Sequence, residues 1–92
     1  MGHNEFLDIC IDYLVNYVNA HLDATDGVKI SADNVYVVWW CKTLQNAKAL
    51  LSTTLSDGMY YEITYNGDKN EFYFDAYKKF ENRCFKAPKE EV

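Results

Sequence analysis

The stretch Met59–Tyr77, MYYEITYNGDKNEFYFDAY, constrains the fold more than any other part of this chain. Two runs rich in Tyr, Phe, Ile and Thr are joined by Asn66-Gly67-Asp68-Lys69-Asn70. Aromatic and β-branched side chains fit a pleated surface, and Asn-Gly supplies the positive-φ positions that a tight turn needs. The stretch reads as a β-hairpin. Alternation puts Met59, Tyr61, Ile63 and Tyr65 on one face with Phe72, Phe74 and Ala76. Tyr60, Glu62 and Thr64 take the other face, with Tyr73, Asp75 and Tyr77.

Upstream, Asn4–Leu22 reads as a helix, with Asn4 as its cap, Glu5 in the first turn and no Gly or Pro inside. Glu5, Asp8, Asp12, Asn16, Asn19 and Asp23 recur at spacings of three and four as one narrow polar stripe. The rest of the circumference is apolar, wider than the roughly 100° a surface helix needs. That surplus is covered either by loops of the same chain or by a second copy, so a homodimer is one expectation. Asp23–Asn34 is a loop by composition, with one helical turn over Ser31–Asn34. Val35–Leu44 is a strand apolar on both faces: Val35, Val37, Trp39 and Cys41 on one, Tyr36, Val38, Trp40 and Lys42 on the other. Gln45–Leu55 fits either a helix or a returning strand; the Thr53-Thr54 pair and the short Leu44–Asn46 break favour the strand. Lys78–Phe85 either extends the last strand or makes a short helix. The sum is a single α+β domain over residues 1–86, an N-terminal amphipathic helix packed on a four-stranded antiparallel β-meander. Residues 87–92 form a flexible tail.

At 92 residues the chain can bury a single core without metals or disulfides. Cys10, Cys41 and Cys84 show no paired spacing and read as reduced, mostly buried thiols. No apolar run reaches the roughly 20 residues of a membrane span, no basic leader announces secretion, and Phe6 stands where a myristoylation signal needs Ser or Thr. A soluble, cytosolic protein is expected. The net charge of −5 sits in residues 1–41, where six acids face Lys29 alone; residues 42–92 carry eight charges of each sign. An acidic half repels phosphate backbones, which argues against direct nucleic-acid binding and suits a basic protein partner.

Catalytic patterns are missing. No Cys has a His at a useful spacing, and nucleophile-elbow, zinc-protease and phosphate-loop motifs are absent. His21 with Asp23 and Asp26 could form part of a weak metal site, although a His in a last helical turn more often meets the helix dipole. Asp23–Gly27 resembles a calcium loop only superficially, since the alternating ligands are missing. Glu62 and Asp75 face each other across the hairpin, where nearby lysines make a solvated charge network the simpler reading. No enzyme, metal or cofactor is expected. The candidate residues are instead those of a partner surface: Asp8, Asp12 and Asp23 on the acidic stripe, and Tyr36, Trp40, Tyr60, Tyr73 and Tyr77 on the sheet face away from the helix. Tyr and Trp offer large contact area at low entropic cost, and the alternative is simple cross-strand packing.

Val37-Val38-Trp39, Lys42-Thr43-Leu44-Gln45-Asn46, Lys48-Ala49-Leu50, Tyr60-Tyr61-Glu62, Thr64 through Lys69 and Tyr77-Lys78-Lys79 carry a resemblance. Over residues 35–82 the chain resembles a family of small uncharacterised proteins encoded by phages and prophages of Gram-positive bacteria. The family brings no activity or site residues; it implies a phage accessory protein in a bacterial cytosol. The leading expectation is a non-enzymatic protein that binds and inhibits a host protein, with a defence factor such as a CRISPR nuclease as the target. The alternative is a sponge that sequesters a nucleotide signal on the aromatic sheet face or across a dimer interface.

Overall fold

The computed structural model describes residues 1–22 and 29–88. Helix α1 runs from His3 to His21. Its cap is the extended Gly2, not Asn4, and no side chain closes its first turn. Phe6, Cys10, Leu14 and Val18, spaced by four, form the fully buried line of the helix. Further along the chain, Ala32–Asn34 makes a 3-10 turn that the Ser31 and Asn34 side chains cap reciprocally. Four strands follow: β1 (Val35–Thr43), β2 (Asn46–Thr53), β3 (Met59–Asn66) and β4 (Glu71–Lys78). They pair antiparallel in the order β1-β2-β3-β4. The α+β meander is as expected, and the ambiguous segment from residue 45 is a strand.

Core and register follow from alternation. Ala47, Ala49 and Leu51 of β2 and Tyr61 and Ile63 of β3 are buried beneath α1. The two small alanines let the helix approach closely, and the larger Leu51 and Ile63 fill the space beside them. Aromatic rings extend the core towards β4: Tyr17 packs on Phe74 with centroids 4.8 Å apart, and Tyr65 on Phe72 at 4.7 Å. Asn19 reads as a solvent-facing residue in the polar stripe, but it leaves that stripe. Its side chain accepts from the Ile30 N–H at 2.8 Å and donates to the Ile30 C=O at 3.0 Å. This clasp returns the chain to the helix and buries Ile30.

The turns depart from expectation in an instructive way. The left-handed backbone of the β3–β4 turn falls on Asn70 (φ 52°), while neither Asn66 nor Gly67 has positive φ. Glycine is needed at 67 for space: a Cβ there would lie 2.2 Å from the Gln45 carbonyl oxygen. The β1–β2 and β3–β4 turns lie against each other at that point, tied by Gly67 N–H to the Asn46 side chain at 3.1 Å. Beyond β4, residues 79–88 form neither an extended strand nor a short helix. Phe80 and Phe85 are almost bare there. Two of the three thiols, Cys41 and Cys84, are exposed rather than buried. Cys41 sits on edge strand β1, and Cys84 lies beyond the last strand.

Candidate partner-binding face

The sheet has two faces, and α1 covers one. Directly opposed residues of an antiparallel sheet share a face, so the register defines the other. One row across it is Tyr36, Ser52, Tyr60 and Tyr77. The next holds Trp39, Leu50, Glu62 and Asp75, and a third Cys41, Lys48, Thr64 and Tyr73. Tyr36, Val38, Trp39, Tyr73 and Tyr77 each keep between 43% and 52% of their surface exposed. Tyr60 is half-buried and Ser52 buried between its tyrosine neighbours, with Ser52 Oγ donating to the Met59 C=O at 2.8 Å. The hydroxyl is thereby satisfied, so this stretch of the face presents rings with no unpaired polar group beneath them.

The expectation for Trp40 is overturned. A β-bulge between Val37 and Trp39 sets two residues, Val38 and Trp39, against Leu50. The strand's parity inverts there. Trp39 joins Val38 on the outer face, and Trp40 moves opposite buried Ala49, on the helix side. Its ring stacks on His3 at 5.2 Å. Simple alternation assigns the two tryptophans the wrong way round, and only pairing with β2 reveals the extra residue. Tyr36, Tyr60, Tyr73 and Tyr77 lie where the sequence reading puts them. Asp8 and Asp12 are exposed on the helix, on the opposite side of the molecule, beside a shallow groove with Ile11, Val15 and Ile30. Asp23 lies outside the described residues.

Electrostatics on the outer face are mild. Glu62 and Asp75 are cross-strand neighbours as expected, and Lys48 Nζ lies 3.3 Å from Glu62. The Tyr73 hydroxyl donates to Glu71 at 2.7 Å, which raises the phenol's pKa because the bond and the carboxylate's charge both favour the protonated form. On the covered side, burial pushes the Cys10 thiol up to about 12, leaving it un-ionised. His21 Nδ1 lies 2.7 Å from the Tyr17 carbonyl, and its ring stacks on Tyr17. Asp23 and Asp26, its companions in the less favoured metal-site reading, fall outside the described residues. Among the described residues no three His, Cys, Asp or Glu side chains cluster as metal ligands, and no helix is long and apolar enough to cross a membrane.

A second feature lies at the start of α1. Met1, His3, Phe6, Trp40, Lys42 and Gln45 line a cavity of about 120 Å³ with Ala47, Tyr65 and Gly67. Lys42 Nζ donates to the Met1 carbonyl at 2.9 Å, joining two of the cavity's lining residues. The bulge is what places Trp40 and Lys42 here, so sequence spacing alone hides this site.

The family model of a family of unknown function, DUF6275, matches residues 7–87. The chain belongs to this family. The matched span takes in all four strands and all of α1 after its first turn, and so the residues of both sheet faces. No curated protein and no solved structure matches the chain.

Proposed function

We propose that this DUF6275 protein is a small, acidic phage accessory protein that binds and inhibits a host protein in the bacterial cytosol, with a defence factor as the target class. The observation that carries the reading is the bare outer face, where Tyr36, Val38, Trp39 and Tyr77 surround half-buried Leu50 and Tyr60. Exposed Tyr and Trp side chains are the residue types enriched at protein–protein hot spots, and the one acid on the central strands beside them, Glu62, is paired with Lys48. The phage setting rests on the resemblance over residues 35–82. Asp8 and Asp12, on the far side, act through the long-range field: an acidic helix speeds encounter with a basic partner without touching it. The protein makes no direct contact with nucleic acid.

The test is affinity capture from a Gram-positive host lysate at low and high salt, comparing wild type with Trp39→Ser/Tyr77→Ser and with Asp8→Lys/Asp12→Lys. The expected result is a stoichiometric host protein that the first variant no longer retains and that the second recruits more slowly, with the difference vanishing at high salt. Equal capture by wild type and the Trp39/Tyr77 variant would contradict the reading.

The cavity beside Trp40 supports a second reading, sequestration of a nucleotide signal. Trp40 and His3 offer stacking surfaces, and Lys42 offers a cation. Calorimetry with a panel of signalling nucleotides decides it: binding abolished by Trp40→Ala supports a sponge, and no heat with any nucleotide removes it.

A further inference from the structure

The two edges of this sheet are not equivalent. β1 carries the bulge at Val38, which breaks its regularity and discourages strand addition. β4 is eight residues long, free of bulge and proline, and contains Phe72-Tyr73-Phe74. No described strand pairs with this regular, aromatic edge, and its charges Glu71, Asp75 and Lys78 are the only protection it carries among the described residues. Its backbone polarity can be read from one bond. Lys79 N–H donates to the Gly58 C=O at 2.8 Å, so alternate residues 77, 75, 73 and 71 turn their amides towards β3. The N–H and C=O groups of Phe72, Phe74, Ala76 and Lys78 therefore point outward.

We infer that β4 pairs antiparallel with β4 of a second copy, joining two four-stranded sheets into one of eight strands about a two-fold axis at Phe74. An isologous pair keeps the helix on the same face in both copies, which restricts the register to residues of equal parity. Centring the axis on Asp75 would set two carboxylates side by side. Centring it on Tyr73 would oppose Glu71 to Asp75. Centring it on Phe74 opposes Phe72 to Ala76, Glu71 to Tyr77 and Tyr73 to Asp75, with no like-charge pair. The edge is thus complementary to itself in that register. An open, largely apolar groove of about 480 Å³ beside the edge, lined by Tyr13, Tyr17, Ile63, Phe72 and Phe74 together with Asn70, supplies the rest. The second copy presents the same aromatic flank across the axis and covers the exposed Tyr13 ring. The outer faces stay bare and become coplanar, so this inference stands or falls independently of the partner reading.

Ala76→Pro provides the main test. The Ala76 N–H points away from β3, so proline there removes inter-chain bonds without touching the intramolecular ladder. Sedimentation of the wild type at about 100 µM should give a dimer, and the Ala76→Pro protein should be a monomer with an unchanged circular dichroism spectrum. A monomeric wild type, or a dimer indifferent to Ala76→Pro, overturns the inference; the latter would place the interface on the outer face or on β1. Amide exchange on the unmodified protein serves if the proline variant does not fold. The Phe72, Phe74 and Ala76 amides should be as protected as those of Tyr73 and Asp75, and exchange at the unprotected rate contradicts pairing. With Cys41 and Cys84 changed to Ser, Phe74→Cys should form an inter-chain disulfide, because hydrogen-bonded opposites lie about 5.5 Å apart at Cα. Cross-linking by Asp75→Cys in its place would refute the register.

Discussion

The two faces of the sheet are built from the same kinds of residue and differ in what lies above them. The inner face has Tyr61, Tyr65, Phe72 and Phe74, and the outer face Tyr36, Trp39, Tyr60, Tyr73 and Tyr77. Above the first lies α1, whose Phe6, Cys10, Leu14 and Val18 fill the space between the alanines of β2 and the rings of β4. Above the second, no described part of the chain is packed. An aromatic residue on the inner face contributes to folding, whereas one on the outer face remains available to a partner. Hydrophobicity alone does not distinguish the two roles; the small residues Ala47 and Ala49, which admit the helix, do.

The contrast can be broken most forcefully at β2, where neighbouring leucines point to opposite faces. Leu51→Ala should cost about 2–5 kcal/mol in a denaturant titration, because it hollows a fully packed site. Leu50→Ala should cost about 1 kcal/mol or less. Similar losses for both would mean that the outer face is also a core.

Asn19→Ala comes next. It leaves the Ile30 N–H and C=O without their partner in a part-buried position, an expected loss of about 1–3 kcal/mol. Asn16→Ala, one turn away and exposed, should be neutral within about 0.5 kcal/mol.

Thiol chemistry sharpens the same division. At pH 8 a thiol reagent should modify Cys41 and Cys84 quickly and leave Cys10 untouched until the protein unfolds. The folded thiol titrates near 12 and the unfolded one near 9.0, so only the unfolded state ionises between these values. The Cys10 contribution to stability is level below pH 9 and declines as the pH rises towards 12. A Cys10→Ala protein should lack that decline. Rapid labelling of Cys10 in the native protein would show that α1 lifts readily from the sheet.

The smallest effect belongs to the Lys48–Glu62 pair. Both side chains remain partly solvated, and Lys48→Ala should cost between about 0 and 1 kcal/mol by thermal unfolding, less still in high salt.

Much of this was legible in the chain. The hairpin's alternating aromatics specify its register, from Tyr65 opposite Phe72 to Tyr60 opposite Tyr77. The apolar helix line and the β2 assignment also follow from pattern. What periodicity could not supply was anything that depends on an inserted residue or a distant contact. The bulge at Val38 exchanges Trp39 with Trp40, and with that exchange go one outer-face ring and the cavity near His3. Asn19 looks like one more polar residue in a stripe until Ile30 folds back to meet it. Gly67 reads as a turn glycine, yet its lack of a Cβ matters because Gln45 passes beside it.

The adjacent tryptophans on opposite faces also offer the most direct test of the central claim, that the outer face is the partner surface. With the chain labelled with 5-fluorotryptophan, its two ¹⁹F resonances report the two faces separately, and an unlabelled partner adds no signal. Titration with the captured host protein should shift and broaden the Trp39 resonance while the Trp40 resonance stays in place. Movement of Trp40 with Trp39 unchanged would contradict the account and move the binding site to the cavity at the start of α1.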